Sequence, residues 1–343
     1  MTGVLVATLA LSGELCALAQ QAGKQPEQKK PQEPQQEYSI SVEVPLVNVD
    51  VVVTDSNGNF VPGLKKENFR ILENGTPQPI TNFTPTDAPI TIVLLMEFSK
   101  LGWGIYAYNA VDWGYGFLSH LNKNDWAALV TYDMKTRIEV DFTRDKSSIR
   151  DALAHLFMPG FSEANLFDAV SETLDRLKEV KGKKSILILA TGFDTFSKKT
   201  LDQTLKELRQ SDVTIFSIGV ARSLQEALDT HGMISGAGRV GYLQAENQLN
   251  SFARMTGGRA WFPRFQGELP GIFQDAAAML RNQYSLSYTP ANRTRDGKFR
   301  KIKVELVGDD GSPLVMIDQR GKKVKYVVYA REGYLAPKGN VAD

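Results

Sequence analysis

The stretch Ile90-Thr91-Ile92-Val93-Leu94-Leu95-Met96 is followed at once by Glu97-Phe98-Ser99. It is apolar but for Thr91, rich in β-branched and aliphatic residues, and short. Such a run reads as a strand buried on both faces, the situation of a parallel strand covered by helices. Polar side chains at its carboxyl end fall where open α/β sheets place their ligand crevice. This one stretch restricts the chain to folds built on a covered sheet.

The central part of the chain supports that restriction. Ala127–Tyr132 and Ile138–Phe142 read as strands joined by a short turn near Lys135. Lys146–Leu156 and Leu166–Val180 read as amphipathic helices, the second with Leu166, Val170, Leu174 and Leu177 on one face. Ser185–Ala190 and Val213–Val220 read as further strands, Leu201–Arg209, Gln244–Met255 and Leu269–Asn282 as helices, and Gly257-Gly258 as a helix stop. Strand and helix alternate, which predicts a doubly wound, mostly parallel α/β sheet over residues 88–284.

On either side the period falls to two. Val47, Val49, Val51 and Val53 alternate with other residues before the turn Asp55-Ser56-Asn57-Gly58-Asn59, and Phe69–Leu72 precedes the turn Glu73-Asn74-Gly75. Tyr284, Leu286 and Tyr288 alternate with serines, and Arg300–Leu306 and Val324–Tyr329 alternate likewise. Neither segment has enough strands for an independent sheet. Residues 38–86 and 285–337 are therefore expected to pair into one small β-sandwich, with the α/β domain inserted in it. The length of 343 residues suits about two domains.

The amino terminus has a different character. Val4–Leu11 is apolar but too short to span a bilayer, and Ala17-Leu18-Ala19 before Gln20 is an A-x-A cleavage pattern. Residues 1–19 thus resemble a signal peptide, although no lysine or arginine precedes the apolar run. Residues 20–37 are rich in Gln, Pro, Lys and Glu and read as a disordered linker. The single cysteine, Cys16, lies inside the export segment, so the mature chain would have no disulfide and no cysteine metal site. The expectation is an exported bacterial protein, periplasmic or extracellular, with no membrane span in the mature chain. A net charge of +1 gives no electrostatic footprint for nucleic acid.

The residues from about Ile90 to Tyr284 resemble a von Willebrand factor type A domain. The likeness is carried by the strand ending in Glu97-Phe98-Ser99 and by Trp126–Tyr132 with Phe142-Thr143-Arg144-Asp145. It continues with Asn165-Leu166-Phe167-Asp168-Ala169, Ile186–Asp194 and Thr256-Gly257-Gly258-Arg259-Ala260. The flanks, among them Val51–Asp55, Glu73-Asn74-Gly75, Gln283–Pro290 and Arg331-Glu332-Gly333-Tyr334, are similar to an acidobacterial family of such proteins. The resemblance implies a binding module. In many members a magnesium ion sits at the carboxyl edge of the sheet, held by an Asp-x-Ser-x-Ser loop, a threonine and an aspartate, and completed by an acidic residue of the partner.

Carried onto this chain, that site is degenerate. Glu97 takes the first position, Ser99 is retained, and Leu101 replaces the second serine. The threonine position falls at or near Ala164, Thr191 takes the place of the aspartate, and Asp194 matches a nearby acidic position. Magnesium demands near-octahedral oxygen coordination, so the expectation is no metal and no other cofactor.

Other motifs carry less. Gly236-Ala237-Gly238-Arg239-Val240-Gly241 fits G-x-G-x-x-G, but no strand feeds it directly. The span from His231 to Gly241 reads instead as a Gly-rich loop near the sheet edge, suited to partner contact. Lys183-Lys184-Ser185 resembles the end of a phosphate loop, but Leu177 stands where its first glycine belongs. His120, His155 and His231 form no catalytic or zinc pattern. Trp103, Tyr106, Tyr108, Trp113, Tyr115 and Phe117 either pack in the core or form an exposed aromatic patch. The function expected is a non-enzymatic protein-binding or adhesion module with no catalytic residues, using a rim of Glu97, Ser99, Trp103 and Asp194. The alternative is an assembly subunit of an envelope complex that acts through its β-sandwich.

Overall fold

Every residue from Ile90 to Glu97 is buried, and the strand they form has apolar side chains packed on both faces. The computed structural model describes residues 46–339 apart from 57, 87, 103–109, 157, 231–234 and 318–320, with only the backbone described at 110–113, 227 and 237. The expected signal peptide and linker lie outside the described residues. So do Trp103, Tyr106, Tyr108, His231 and the side chain of Trp113.

In chain order the first strands are β1 (Val47–Asp55), β2 (Phe69–Glu73), β3 (Thr76–Gln78), β4 (Ile80–Thr84) and β5 (Ile90–Glu97). Then come helix α1 (Ala110–Ser119), β6 (Trp126–Tyr132), β7 (Thr136–Thr143), α2 (Lys146–His155), α3 (Leu166–Leu177) and β8 (Lys183–Ala190). They are followed by α4 (Leu201–Gln210), β9 (Thr214–Gly219), α5 (Ala221–Thr230), α6 (Gly236–Thr256), β10 (Ala260–Trp261) and α7 (Leu269–Arg281). The chain closes with β11 (Tyr284–Tyr288), β12 (Phe299–Leu306), β13 (Met316–Ile317), β14 (Lys323–Val324), β15 (Tyr326–Ala330) and β16 (Gly333–Leu335).

The central sheet has the order β10-β9-β8-β5-β6-β7, parallel except for the β6–β7 hairpin at one edge. Alternation along β5 divides the core. Ile90, Ile92, Leu94 and Met96 pack with Phe117, Ile149, Leu153 and Phe273 from α1, α2 and α7. Val93 and Leu95 pack on the other face with Leu166, Val170, Leu174, Leu249 and Phe252 from α3 and α6. This is the doubly wound α/β arrangement, and it puts the ends of β5 and β8 side by side at the carboxyl edge.

The flanking segments form two four-stranded sheets, β15-β1-β11-β4 and β16-β12-β2-β3. Both draw strands from before and after the α/β region, and one core joins them, including Val49, Val51, Ile71, Leu286, Tyr288 and Val304. The Asn74-Gly75 turn has positive φ at both residues (49° and 86°), the twist a two-residue hairpin between β2 and β3 requires.

One expectation needs correction. Residues 236–241 are not a loop but the first turns of α6, capped by the Ser235 hydroxyl, which accepts from Gly238 N at 3.2 Å. Each glycine weakens a helix by roughly 1 kcal/mol, which is why the sequence reads as a loop. Burial of Leu249 and Phe252 farther along anchors the helix instead. It ends at Gly257, whose φ is 86°, where a Cβ would meet Arg331 N at 2.6 Å.

Candidate functional site

Met96 lies opposite Leu189, so Glu97 emerges beside the end of β8. The glutamate reaches across to that neighbouring loop. Its Oε2 accepts from Thr191 N and from Thr191 Oγ1, both at 2.7 Å, and its Oε1 accepts from Ser99 Oγ at 2.5 Å. Ser99 Oγ in turn accepts from Gly102 N at 3.1 Å. The helical residues 100–102 lie against the carboxyl group: a Cβ on Gly102 would lie 3.0 Å from Glu97 Cδ. Glu97 is 1% exposed. Burial pushes its carboxyl above the ordinary range, while hydrogen bonds from Ser99 and Thr191 pull it back down.

Direct protein hydrogen bonds also tie in the loop before α3. Lys100 N donates to Phe161 O at 2.8 Å, Thr195 N to Ala164 O at 2.8 Å, and Ala164 N to Thr195 Oγ1 at 3.0 Å. Asp194 faces the start of α3, accepting from Phe167 N at 3.2 Å and Ser197 Oγ at 2.5 Å. Burial raises its carboxyl above the usual range. Asp168 closes the same corner by accepting from Lys198 N and Lys199 N. Side-chain and backbone hydrogen bonds thus join the three loops at this edge.

The structure brings Glu97, Ser99 and Thr191 into contact, and places Leu101 and Ala164 beside them on the wall of a cleft of about 360 Å³. Neither Leu101 nor Ala164 carries a side-chain oxygen. Asp194 is not among the residues that line the cleft. Of the aromatic cluster, Tyr115 is 40% exposed and Phe117 is wholly buried.

Gly238 and Gly241, from the span the sequence places near this sheet edge, also line the cleft; Phe193, Thr195 and Tyr242, which line it with them, were not singled out as site residues by sequence. Among the described residues no group of three or more His, Cys, Asp or Glu side chains is placed to hold a metal ion, and no helix is long and apolar enough to cross a membrane.

The match to a family model agrees with this architecture. The family model described as von Willebrand factor type A domain matches residues 110–254. No curated protein matches the chain. Among solved structures, a conserved hypothetical protein BatB from Bacteroides thetaiotaomicron aligns at 14% identity and a TM-score of 0.38, covering 55% of this chain and 98% of its own. A von Willebrand factor type A protein from Catenulispora acidiphila aligns at 10% identity and a TM-score of 0.42, covering 77% and 73%. The corresponding domain of the type V pili tip protein Mfa5 from Porphyromonas gingivalis aligns at 11% identity and a TM-score of 0.41, covering 56% and 95%. From the match to the family model and the helix-covered parallel sheet, the chain carries a von Willebrand factor type A domain.

Proposed function

We infer that this chain is an exported, non-enzymatic protein-binding module whose carboxyl-edge loops engage a partner without a metal ion. The observation that carries the reading is the closure of Glu97 onto Ser99 and Thr191. A carboxylate offers about four acceptor positions, and three are taken by protein donors. Thr191 turns its hydroxyl onto the same carboxylate, and Leu101 and Ala164 supply no oxygen. Magnesium needs six oxygens in near-octahedral geometry, so this donor set does not fit it. Glu97 itself bridges the loops that an ion would otherwise join.

Two measurements test this. Added magnesium should leave the melting temperature of metal-stripped protein unchanged, and a micromolar magnesium affinity lost in Glu97→Ala would overturn the metal-free reading. Leu101→Asp should abolish capture of a partner from the envelope fraction while the fold persists.

A second reading makes the chain an assembly subunit that acts through its β-sandwich. It draws on β15, an edge strand that leaves Val327 43% exposed and open to pairing with another chain. Capture that survives Leu101→Asp but is lost in Val327→Lys would favour it.

A further inference from the structure

The chemistry of the cleft specifies what fills it. Its walls include Leu101, Ala164, Phe193 and Tyr242, and Glu97 is also among the residues that line it. Among the described residues that line it there is no lysine or arginine, and Glu97 has no cationic partner among them. Three hydrogens reach this carboxylate, two on Oε2 and one on Oε1, which leaves one acceptor position on Oε1. A buried carboxylate without a counter-charge is costly and is stabilised by any cation that can reach it. Apolar walls together with one acid suit a side chain with an aliphatic stem and a cationic tip.

We propose that the cleft receives a lysine side chain of a partner protein, its stem against Leu101, Phe193 and Tyr242 and its ammonium directed at Glu97 Oε1. The proposal rests on the reading that the carboxyl-edge loops are the contact surface, and it names the chemistry of the occupant. Complementary charge selects a base and rejects an acid. A polypeptide is favoured over a free amine by the rim. Phe196 and Leu243 each follow a cleft-lining residue in the chain and Val240 precedes one; all three are exposed, and Val240 and Leu243 share one face of α6 at i,i+3 spacing. These side chains would meet residues on either side of the lysine. The volume, about 360 Å³, lies within the range of roughly 300–1,000 Å³ usual for specific ligand clefts.

The test uses the full chain and short capped peptides of the pattern Gly-Leu-X-Leu-Gly, with X as lysine, norleucine or glutamate, and n-butylammonium as the free amine. Binding is followed by nuclear magnetic resonance shifts of the Leu101 and Ala164 methyl groups. The lysine peptide should bind at least about tenfold more tightly than the other two, as a charge-assisted contact requires. Glu97→Gln should reduce it to the norleucine level.

A cavity-filling variant guards against misfolding. A Cβ on Gly241 would sit 3.6 Å from the Phe193 ring, an ordinary contact, so Gly241→Leu should fill the cleft and abolish binding with the melting temperature retained. Equal binding of the glutamate and lysine peptides, lysine binding unchanged in a folded Glu97→Gln, or n-butylammonium binding as tightly as the peptide would each overturn the proposal. If the peptide fails while Leu101→Asp still abolishes partner capture, only the cationic occupant is wrong. If Leu101→Asp leaves capture intact, the carboxyl-edge reading falls with it.

Discussion

The two edges of the central sheet bury charge in opposite ways. At the amino edge, acids and bases are matched. Lys184 Nζ lies 2.9 Å from Asp212, which also accepts from Asn48 Nδ2 at 3.1 Å. Asp50 accepts from Ser285 and Thr214 hydroxyls and feels the charge of Lys183. Asp125 pairs with Arg281 and accepts from Ile90 N at 3.0 Å. These contacts fasten β1 to the openings of β8 and β9, and the opening of β6 to β5 and α7.

At the carboxyl edge Asp133 is paired with Arg137, but Glu97 is held by hydroxyl and amide donors, with no base beside it among the described residues. A buried carboxylate held by hydroxyls is not a site in itself. Glu73 in the sandwich accepts from the hydroxyls of Tyr288 and Tyr334, at 2.7 and 2.9 Å. What distinguishes Glu97 is that it lines a cleft. The difference teaches that the amino edge pairs its buried acids with bases, whereas the carboxyl edge leaves Glu97, among the described residues, with hydroxyl and amide donors at the wall of a cleft.

The comparison breaks most readily at Lys183. Its ammonium donates to Pro85 O at 2.7 Å and Gln283 O at 2.6 Å, and its charge offsets that of Asp50. Lys183→Met removes the base and leaves the acid buried. Leaving buried carbonyls without their donor and a buried acid without that charge costs about 1–3 kcal/mol for each orphaned group, so the urea midpoint should fall by an equivalent of about 3 kcal/mol at an unchanged slope. Adding Asp50→Asn should restore part of the loss, because the two sites are coupled. A loss below about 1 kcal/mol would make the amino edge no more structural than its opposite.

How far the sequence carries the reader differs between these edges too. The apolar runs at Ile90–Met96 and Ser185–Ala190 specify covered strands, and Gly257-Gly258 does end a helix. Those signals are local. The bond from Thr191 to Glu97 joins residues 94 positions apart, and Asn48 meets Asp212 across 164 positions. Sequence alone places such residues at strand ends without saying which ends meet. Lys183 shows the limit: with a phosphate loop excluded by Leu177, the sequence assigns it no role, and it satisfies two carbonyls that belong to distant segments. The start of α6 was hidden for the opposite reason. Its glycines oppose a helix locally, and only packing farther along overrides them.

A smaller effect is expected at Thr191. Thr191→Val keeps the shape and the backbone donor but removes the hydroxyl that meets Glu97 Oε2 and leaves Phe193 N without its acceptor at 3.3 Å. The cost should be about 1–2 kcal/mol, read from the same urea transition, and should be indifferent to added magnesium. A variant whose stability recovers on adding magnesium would show that an ion belongs at this edge after all.

The smallest effect is the most diagnostic, and its sign matters more than its size. Glu97 titrates above an ordinary glutamate when folded because burial disfavours its charged form. Between the ordinary value and the raised one, the native chain therefore holds more protons than the unfolded chain. Stability must then fall as pH rises through that window. Glutamine at this position does not titrate, yet it fits the same frame. Its oxygen can accept from Thr191, and its amide can donate to Ser99 Oγ, which is already positioned by Gly102 N. Glu97→Gln should thus stay within about 1 kcal/mol of the parent at pH 7, and its stability relative to the parent should improve as pH rises from below the glutamate range. Chemical unfolding of both chains across pH 4 to 8 measures this difference directly, with the remaining carboxylates common to the two. A loss of several kcal/mol that persists at every pH would mean that Glu97 is a structural linchpin like Lys183, and the contrast between the two edges would vanish.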